Sequence, residues 1–142
     1  MMRRLFLFAI AAAALAWSDT AQELIDLFAS MASALSEGNP GVFLRAIDPS
    51  MPGYERFAAN IYALTTQNGL SNSVEVISQK GDDDVQMVEL DWLLDISGKG
   101  QSHLFVRREM TVKCRLERRK KKWRVVALEP ADFFAPPGSD AH

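Results

Sequence analysis

An α+β fold is predicted, with three N-terminal helices packed in the concave face of a strongly curved four-stranded antiparallel sheet. Three observations predict it. Residues 74–128 read as consecutive strands whose apolar positions share one face. Three helical segments precede them and must cover that face. The 142-residue chain, 48% apolar and 24% charged, fits a single globular domain rather than a disordered or membrane-embedded one.

Residues 1–16 stand apart from that domain. Arg3 and Arg4 form a short basic region, residues 5–15 are an unbroken apolar run, and Ala14-Leu15-Ala16 supplies the small-x-small pattern read by signal peptidase. Cleavage after Ala16 is expected, with the mature protein periplasmic or secreted. The apolar run is too short for the roughly 20 residues of a spanning helix. Export usually invites disulfides, yet Cys114 is the only cysteine, so no intramolecular bridge can form. Cleavage would remove two arginines and take the formal charge from −2 to −4, which argues against a nucleic-acid partner.

The domain proper spans 17–135. Thr20 and Glu23 have capping-box spacing; Leu24, Leu27, Phe28, Met31 and Leu35 recur at helical intervals, and Gly38 sits where a left-handed cap would end the helix. Asn39-Pro40 opens a short second helix with Val42, Phe43, Ala46 and Ile47 on one side. Ser50 and Pro52 open a third, striped by Tyr54, Phe57, Ala58, Ile61 and Leu64, with Tyr62 beside them and Asn68-Gly69 at its end.

Cross-strand partners in an antiparallel pair share a face, so register can be tested. With residues 98–100 as a three-residue loop, Leu94 faces Leu104, Trp92 faces Val106 and Val88 faces Met110, while Asp91 meets Arg107 and Asp95 meets His103 outside. With residues 81–83 as the preceding loop, Val76 faces Val88 and Val74 faces Leu90. The last hairpin turns within 118–122, where Trp123, Val125 and Ala127 compete with Val126 and Leu128 for the interior.

The inner face so defined contains one charge, Arg108. An unpaired guanidinium in an apolar interior is costly, so it should find a carboxylate, a carbonyl or a cavity mouth. In the functional reading Arg108 anchors an anionic or hydrophobic ligand in a cavity walled by Trp92, Tyr54, Tyr62 and Met110. In the plainer one it lies at the sheet end, paired with Asp48 or Asp132.

The Leu24-Leu27-Phe28-Met31 stripe, the short second helix, the third helix from Tyr54, four long strands and the ending Trp123-Arg-Val-Val-Ala-Leu-Glu-Pro with Phe133-Phe134 beyond resemble the nuclear transport factor 2-like superfamily over roughly residues 19–135. That resemblance implies a cone-shaped α+β barrel with a cavity open at one end, and frequent dimerisation through the sheet. It includes steroid isomerases, dehydratases, polyketide cyclases and many exported domains without known chemistry. Its catalytic members place an aspartate, a histidine or tyrosines in the cavity, which this inner face lacks. The short strand that it often carries between helices two and three has little room beside Asp48-Pro49-Ser50.

The remaining features read as follows. Asp95 and His103 could form a base with its orienting carboxylate, or a solvated ion pair. The basic residues of 113–124 could touch an anionic surface, or be a solvated tip that discourages edge pairing. Ile77, Met87, Leu93 and Phe105 among Glu89, Asp91, Arg107 and Glu109 suit a self-complementary outer face, hence a homodimer. Cys114 reads as a buried core residue opposite Val126. His103 and His142 are too far apart for a metal site, and no cofactor is expected. Phe133 and Phe134 are placed at the open edge of the cone, with 136–142 a disordered tail. Together these predict an exported, non-catalytic small-ligand-binding or protein-interaction module, the alternative being a cofactor-independent isomerase, dehydratase or hydrolase acting on a hydrophobic small molecule.

Overall fold

The computed structural model describes residues 2–138, with side chains from residue 19 onward. Residues 139–142, which hold most of the expected tail and His142, lie outside the described residues, as do the side chains of the export segment. The elements run α1 (Met2–Ser36), α2 (Pro40–Arg45), α3 (Tyr54–Gln67), β1 (Asn68–Gly81), β2 (Val85–Gly98), β3 (Phe105–Arg119) and β4 (Lys122–Glu129), then a 3-10 turn at Ala131–Phe134. The strands form one antiparallel sheet in sequence order, with α1 packed along β1 and α2. Among the described residues no helix is long and apolar enough to cross a membrane.

Helix α1 is continuous through Thr20, so the capping-box spacing there does not start it. The alanine-rich stretch upstream has high helix propensity and supplies the carbonyls that Thr20 and its neighbours need. Its far end is as expected: Gly38 (φ 70°) bonds back to Leu35 O at 3.0 Å and Asn39 N to Ala34 O at 2.8 Å, the paired closure of a Schellman motif. Asn39 then caps α2 by accepting from Val42 N at 3.2 Å. Helix α3 starts at Tyr54 behind a left-handed Gly53, not at Ser50 or Pro52, because Ser50 is held in a turn by Asp48 Oδ1 at 2.8 Å. In place of a strand between α2 and α3 there is a single parallel bridge, with Asp48 N bonded to Val125 O and Val125 N to Ala46 O, both at 2.8 Å.

The inner and outer faces follow the alternation, but the registers differ from those expected. Leu94 is opposite Arg108, Trp92 opposite Met110 and Val88 opposite Cys114, a four-residue slide that keeps every side chain on its face. The glycines at 98 and 100 do not make a tight turn; residues 99–104 form a wider loop closed by Gly98 N to Leu104 O at 2.9 Å, and Leu104 is left exposed. Val74 and Val76 pair with Trp92 and Leu90 until a bulge at Ile77.

The β3–β4 hairpin resolves the competition for its interior with a second bulge. Arg115 is opposite Ala127 and Leu116 opposite Val125, so Val126 is the extra residue. Trp123 and Val125 before it and Leu128 after it all face inward, and Cys114 meets Leu128 rather than Val126. The turn itself is Lys120-Lys121, both with positive φ (50° and 70°). That geometry usually takes Asn-Gly, and a side chain there costs roughly 1–2 kcal/mol per residue.

Candidate functional site

The interior of the cone is occupied by aromatic rings. Trp92, fully buried, lies 5.0 Å from Phe134, 6.4 Å from Phe28 and 6.5 Å from Phe43, ring centre to ring centre. Phe134 also touches Phe43 at 5.6 Å and Phe57 at 5.8 Å. Trp92 Nε1–H donates to Asn72 Oδ1 at 2.9 Å, and Asn72 Nδ2 donates to Ala32 O at 2.8 Å and Ser36 Oγ at 2.7 Å, tying the sheet to α1. The buried polar residues among those described are Thr65, Asn68 and Gln86, all neutral amides or hydroxyls.

Arg108 is the reason Phe134 stays in place. Its strand outruns β4, which pairs only with Lys113–Arg119 of β3, and its Nη1 donates to Phe133 O at 2.8 Å and Ala135 O at 2.6 Å. The guanidinium therefore holds the Ala131–Phe134 turn against β3. Of the five residues expected to share a cavity, only Arg108 and Met110 come together, in a depression of about 420 Å³ on the outer side of that turn. Trp92 is inside the core, Tyr62 is half exposed on α3, and Tyr54 faces a cleft elsewhere. Phe134, whose place along the sequence carries no sign of how deep it reaches, packs instead among Trp92, Phe43 and Phe57.

The tip of the β3–β4 hairpin builds a second kind of site. A cleft of about 790 Å³ between it, α2 and the α2–α3 link is lined by Arg45, Arg118, Arg119, Lys120, Lys122 and Arg124, with Asp48 its one carboxylate and Tyr54 on its rim. An adjoining groove of about 550 Å³ against α1 shares Arg45, Lys122 and Arg124 with it. Arg118 reaches Asp83 O at 2.9 Å and Glu23 at 3.5 Å, and lies 4.4 Å from the centre of the Trp123 ring. Arg119 binds Glu117 at 2.9 Å and Asp48 at 3.5 Å. Asp48 is held below its ordinary range chiefly by the hydrogen bonds from Ser50, with Arg119 and Arg124 adding to the effect. The buried Trp123 Nε1–H has no partner among the described residues. Sequence reasoning missed Arg45, which sits on a six-residue helix far along the chain from the basic run.

On the outer face, Asp95 pairs with Arg107 through two bonds of 2.7 and 3.0 Å, not with His103, which the longer loop carries away into solvent. Asp91 lies opposite Thr111 for the same reason. The Arg107 bonds hold the Asp95 carboxyl below its usual range. Ile77, Met87 and Phe105 are about half exposed or more on this face, with Leu93 partly covered among them. Burial pushes the Cys114 thiol up to about 12. No cluster of His, Cys, Asp or Glu suited to a metal occurs among the described residues.

No protein-family model matches the chain, and no curated protein matches it in sequence. Solved structures match its shape. A conserved protein from Planctomyces limnophilus superposes with a TM-score of 0.71 at 8% identity, over 78% of this chain and 94% of that one. A nuclear transport factor 2-like superfamily protein from Salmonella enterica gives 0.64 at 12% identity, over 78% and 89%. A proposed scytalone dehydratase from Novosphingobium aromaticivorans gives 0.65 at 8% identity, over 77% and 80%. With the helices packed on one face of a four-stranded meander and these neighbours sharing that arrangement, the chain has the nuclear transport factor 2-like fold.

Proposed function

We propose that this chain is an exported, non-catalytic module that works through its outer surfaces and pairs with a second copy of itself across the outer face of the sheet. The single observation that carries this reading is the filled interior: Phe134 packs on Trp92 and Arg108 holds the turn that puts it there. A ligand cavity needs concave space with a few convergent polar groups. Here the space is taken by side chains of the chain itself. A cofactor-independent isomerase, dehydratase or hydrolase would further need a titratable group in that interior; among the described residues its buried polar side chains are the neutral Thr65, Asn68 and Gln86, and burial pushes the Cys114 thiol up to about 12.

The outer face supports the pairing. Ile77, Met87 and Phe105 are interleaved with Glu89, Asp91, Arg107 and Glu109, a mixture of apolar area and charges able to complement itself about a two-fold axis. Export is supported by the Arg3-Arg4 start, the apolar run and the Ala14-Leu15-Ala16 pattern. The first buried side chain among those described is Leu24, downstream of the expected cleavage point.

The test is sedimentation velocity from micromolar concentrations upward, on the unaltered protein and on Leu93→Glu. The expected result is a dimer that the substitution dissociates, since a carboxylate would sit at the centre of the face. A monomer mass independent of concentration in the unaltered protein counts decisively against the pairing.

A further inference from the structure

Seven of the sixteen Lys and Arg residues of this net-acidic chain line the two adjoining concavities at the β3–β4 tip. Two of the seven, Arg118 and Arg119, are engaged with carboxylates. Arg45, Lys122 and Arg124, the three shared by both concavities, make no ion pair within 4.0 Å among the described residues. They come from separate elements: Arg45 from the last turn of α2, Lys122 and Arg124 from β4. The main-chain bonds between Val125 and residues 46 and 48 fix those elements against each other, so the arrangement is set by backbone rather than by flexible tips.

The same concavities hold three carboxylates, Glu23 and Asp26 in the smaller groove and Asp48 in the larger cleft, so the seven cations leave a positive excess, which repels itself and raises the local concentration of anions. A solvated hairpin tip that merely discourages edge pairing needs lysines only at its end. It does not explain Arg45, which α2 brings up from seventy-odd residues earlier, or the apolar and aromatic walls that Leu27, Val42, Leu44, Tyr54 and Trp123 supply. The Lys120-Lys121 turn points the same way, since both lysines hold the left-handed backbone that Asn and Gly adopt with least strain. Trp123, which lines the smaller groove, also keeps a buried indole N–H without a partner among the described residues.

From this placement we infer that the tip is a binding site for a ligand carrying a phosphate and at least one further anionic group, seated across Arg45, Lys122 and Arg124. Guanidinium groups suit it because their planar forks match two oxygens of a phosphate at once. Two grooves meeting at the same three cations call for more than one anionic centre. The same chemistry is offered by a soluble organic phosphate and by the headgroup of an anionic phospholipid. The site lies away from the outer sheet face, so it stands whether or not the chain dimerises.

The test uses the full-length chain and three charge-neutral variants: Arg45→Gln, Lys122→Gln and Arg124→Gln. Lys80→Gln, on β1 and outside both concavities, makes the same change of charge and serves as the control. Isothermal titration with pyrophosphate reads the soluble source. Co-sedimentation with phosphatidylcholine vesicles, with and without cardiolipin, whose headgroup carries two phosphates, reads the headgroup source. The expected result in at least one arm is binding that weakens roughly tenfold or more in each tip variant, that falls with added salt, and that Lys80→Gln leaves within about twofold. Pyrophosphate binding alone assigns a soluble ligand, and vesicle binding alone assigns a headgroup. Absence of both, or an equal loss in Lys80→Gln, overturns the site. All three tip side chains are at least partly exposed, so the variants should fold, and circular dichroism melting checks that they do.

Discussion

Trp92 and Asn72 share a hydrogen bond of 2.9 Å that joins the centre of the sheet to helix α1, because the same Asn72 amide also donates to Ala32 O and Ser36 Oγ. One side chain thereby satisfies a buried indole and fixes the helix on its sheet. Asn72→Ala should destabilise the protein by about 1–3 kcal/mol, since it strands the indole N–H. Trp92→Phe removes that donor, so Asn72→Ala made in the Trp92→Phe background should cost less. A double-mutant cycle by urea denaturation measures the difference, with a coupling of about 1 kcal/mol expected.

Phe134 is the fully buried side chain of the 131–134 turn, beside the nearly buried Phe133. Phe134→Ala should destabilise by about 3–5 kcal/mol and leave a cavity open to small apolar probes. Arg108→Leu should act on the same turn from outside: its carbonyl partners at 133 and 135 lose their donor, and amides of 131–135 should exchange with solvent faster. Hydrogen exchange followed by mass spectrometry distinguishes this local release from global loss of stability.

Acid sensitivity should arise from Asp48, Asp82 and Asp95, whose carboxyls are held below the ordinary 3.8 by Ser50, by the backbone N–H groups of residues 84 and 85, and by Arg107 respectively. A depressed folded pKa gives stability that is present above the unfolded value and lost as pH falls through the folded one. Stability should therefore begin to drop near pH 3.8 and below. Asp95→Asn should flatten part of that drop, and NMR titration of the three carboxyls checks that each titrates below 3.8.

Cys114 follows the opposite sign. Its thiol ionises near 9.0 when unfolded and at about 12 when folded, so its contribution is intact below pH 9 and lost as pH rises toward 12. At pH 8 a thiol reagent should label the native protein only as fast as it opens, whereas denatured protein should react at once.

Replacing Lys120-Lys121 with Asn-Gly should raise stability by about 1 kcal/mol, because glycine and asparagine take the left-handed backbone with less strain. The thermal midpoint reads this directly. No rise would mean that the turn relaxes its strain in some other way.

Alternation of apolar residues made the two sheet faces legible, because the period of two is insensitive to where a hairpin turns. Loop length was not legible in the same way. Gly98 and Gly100 resemble a tight-turn signal, yet the chain closes six residues later, and the slide moves Arg107 rather than His103 to Asp95. Arg108 stood out as a charge among apolar neighbours, but no sequence pattern marks the main-chain carbonyls of Phe133 and Ala135 to which it donates. The basic tip was visible as a run of lysines and arginines. Its concavity was not, since Arg45 and Tyr54 reach it only through the fold.

The turn that carries Phe134 is joined to β4 by a single residue, Pro130. The occupant of the interior is thus covalently attached to its own container, and its local abundance is that of an intramolecular partner, on the order of millimolar for a short tether. A free apolar molecule would compete against that standing supply at every moment, whatever the composition of the surrounding medium. Any ligand of this interior must therefore displace Phe134 before it can sit against Trp92.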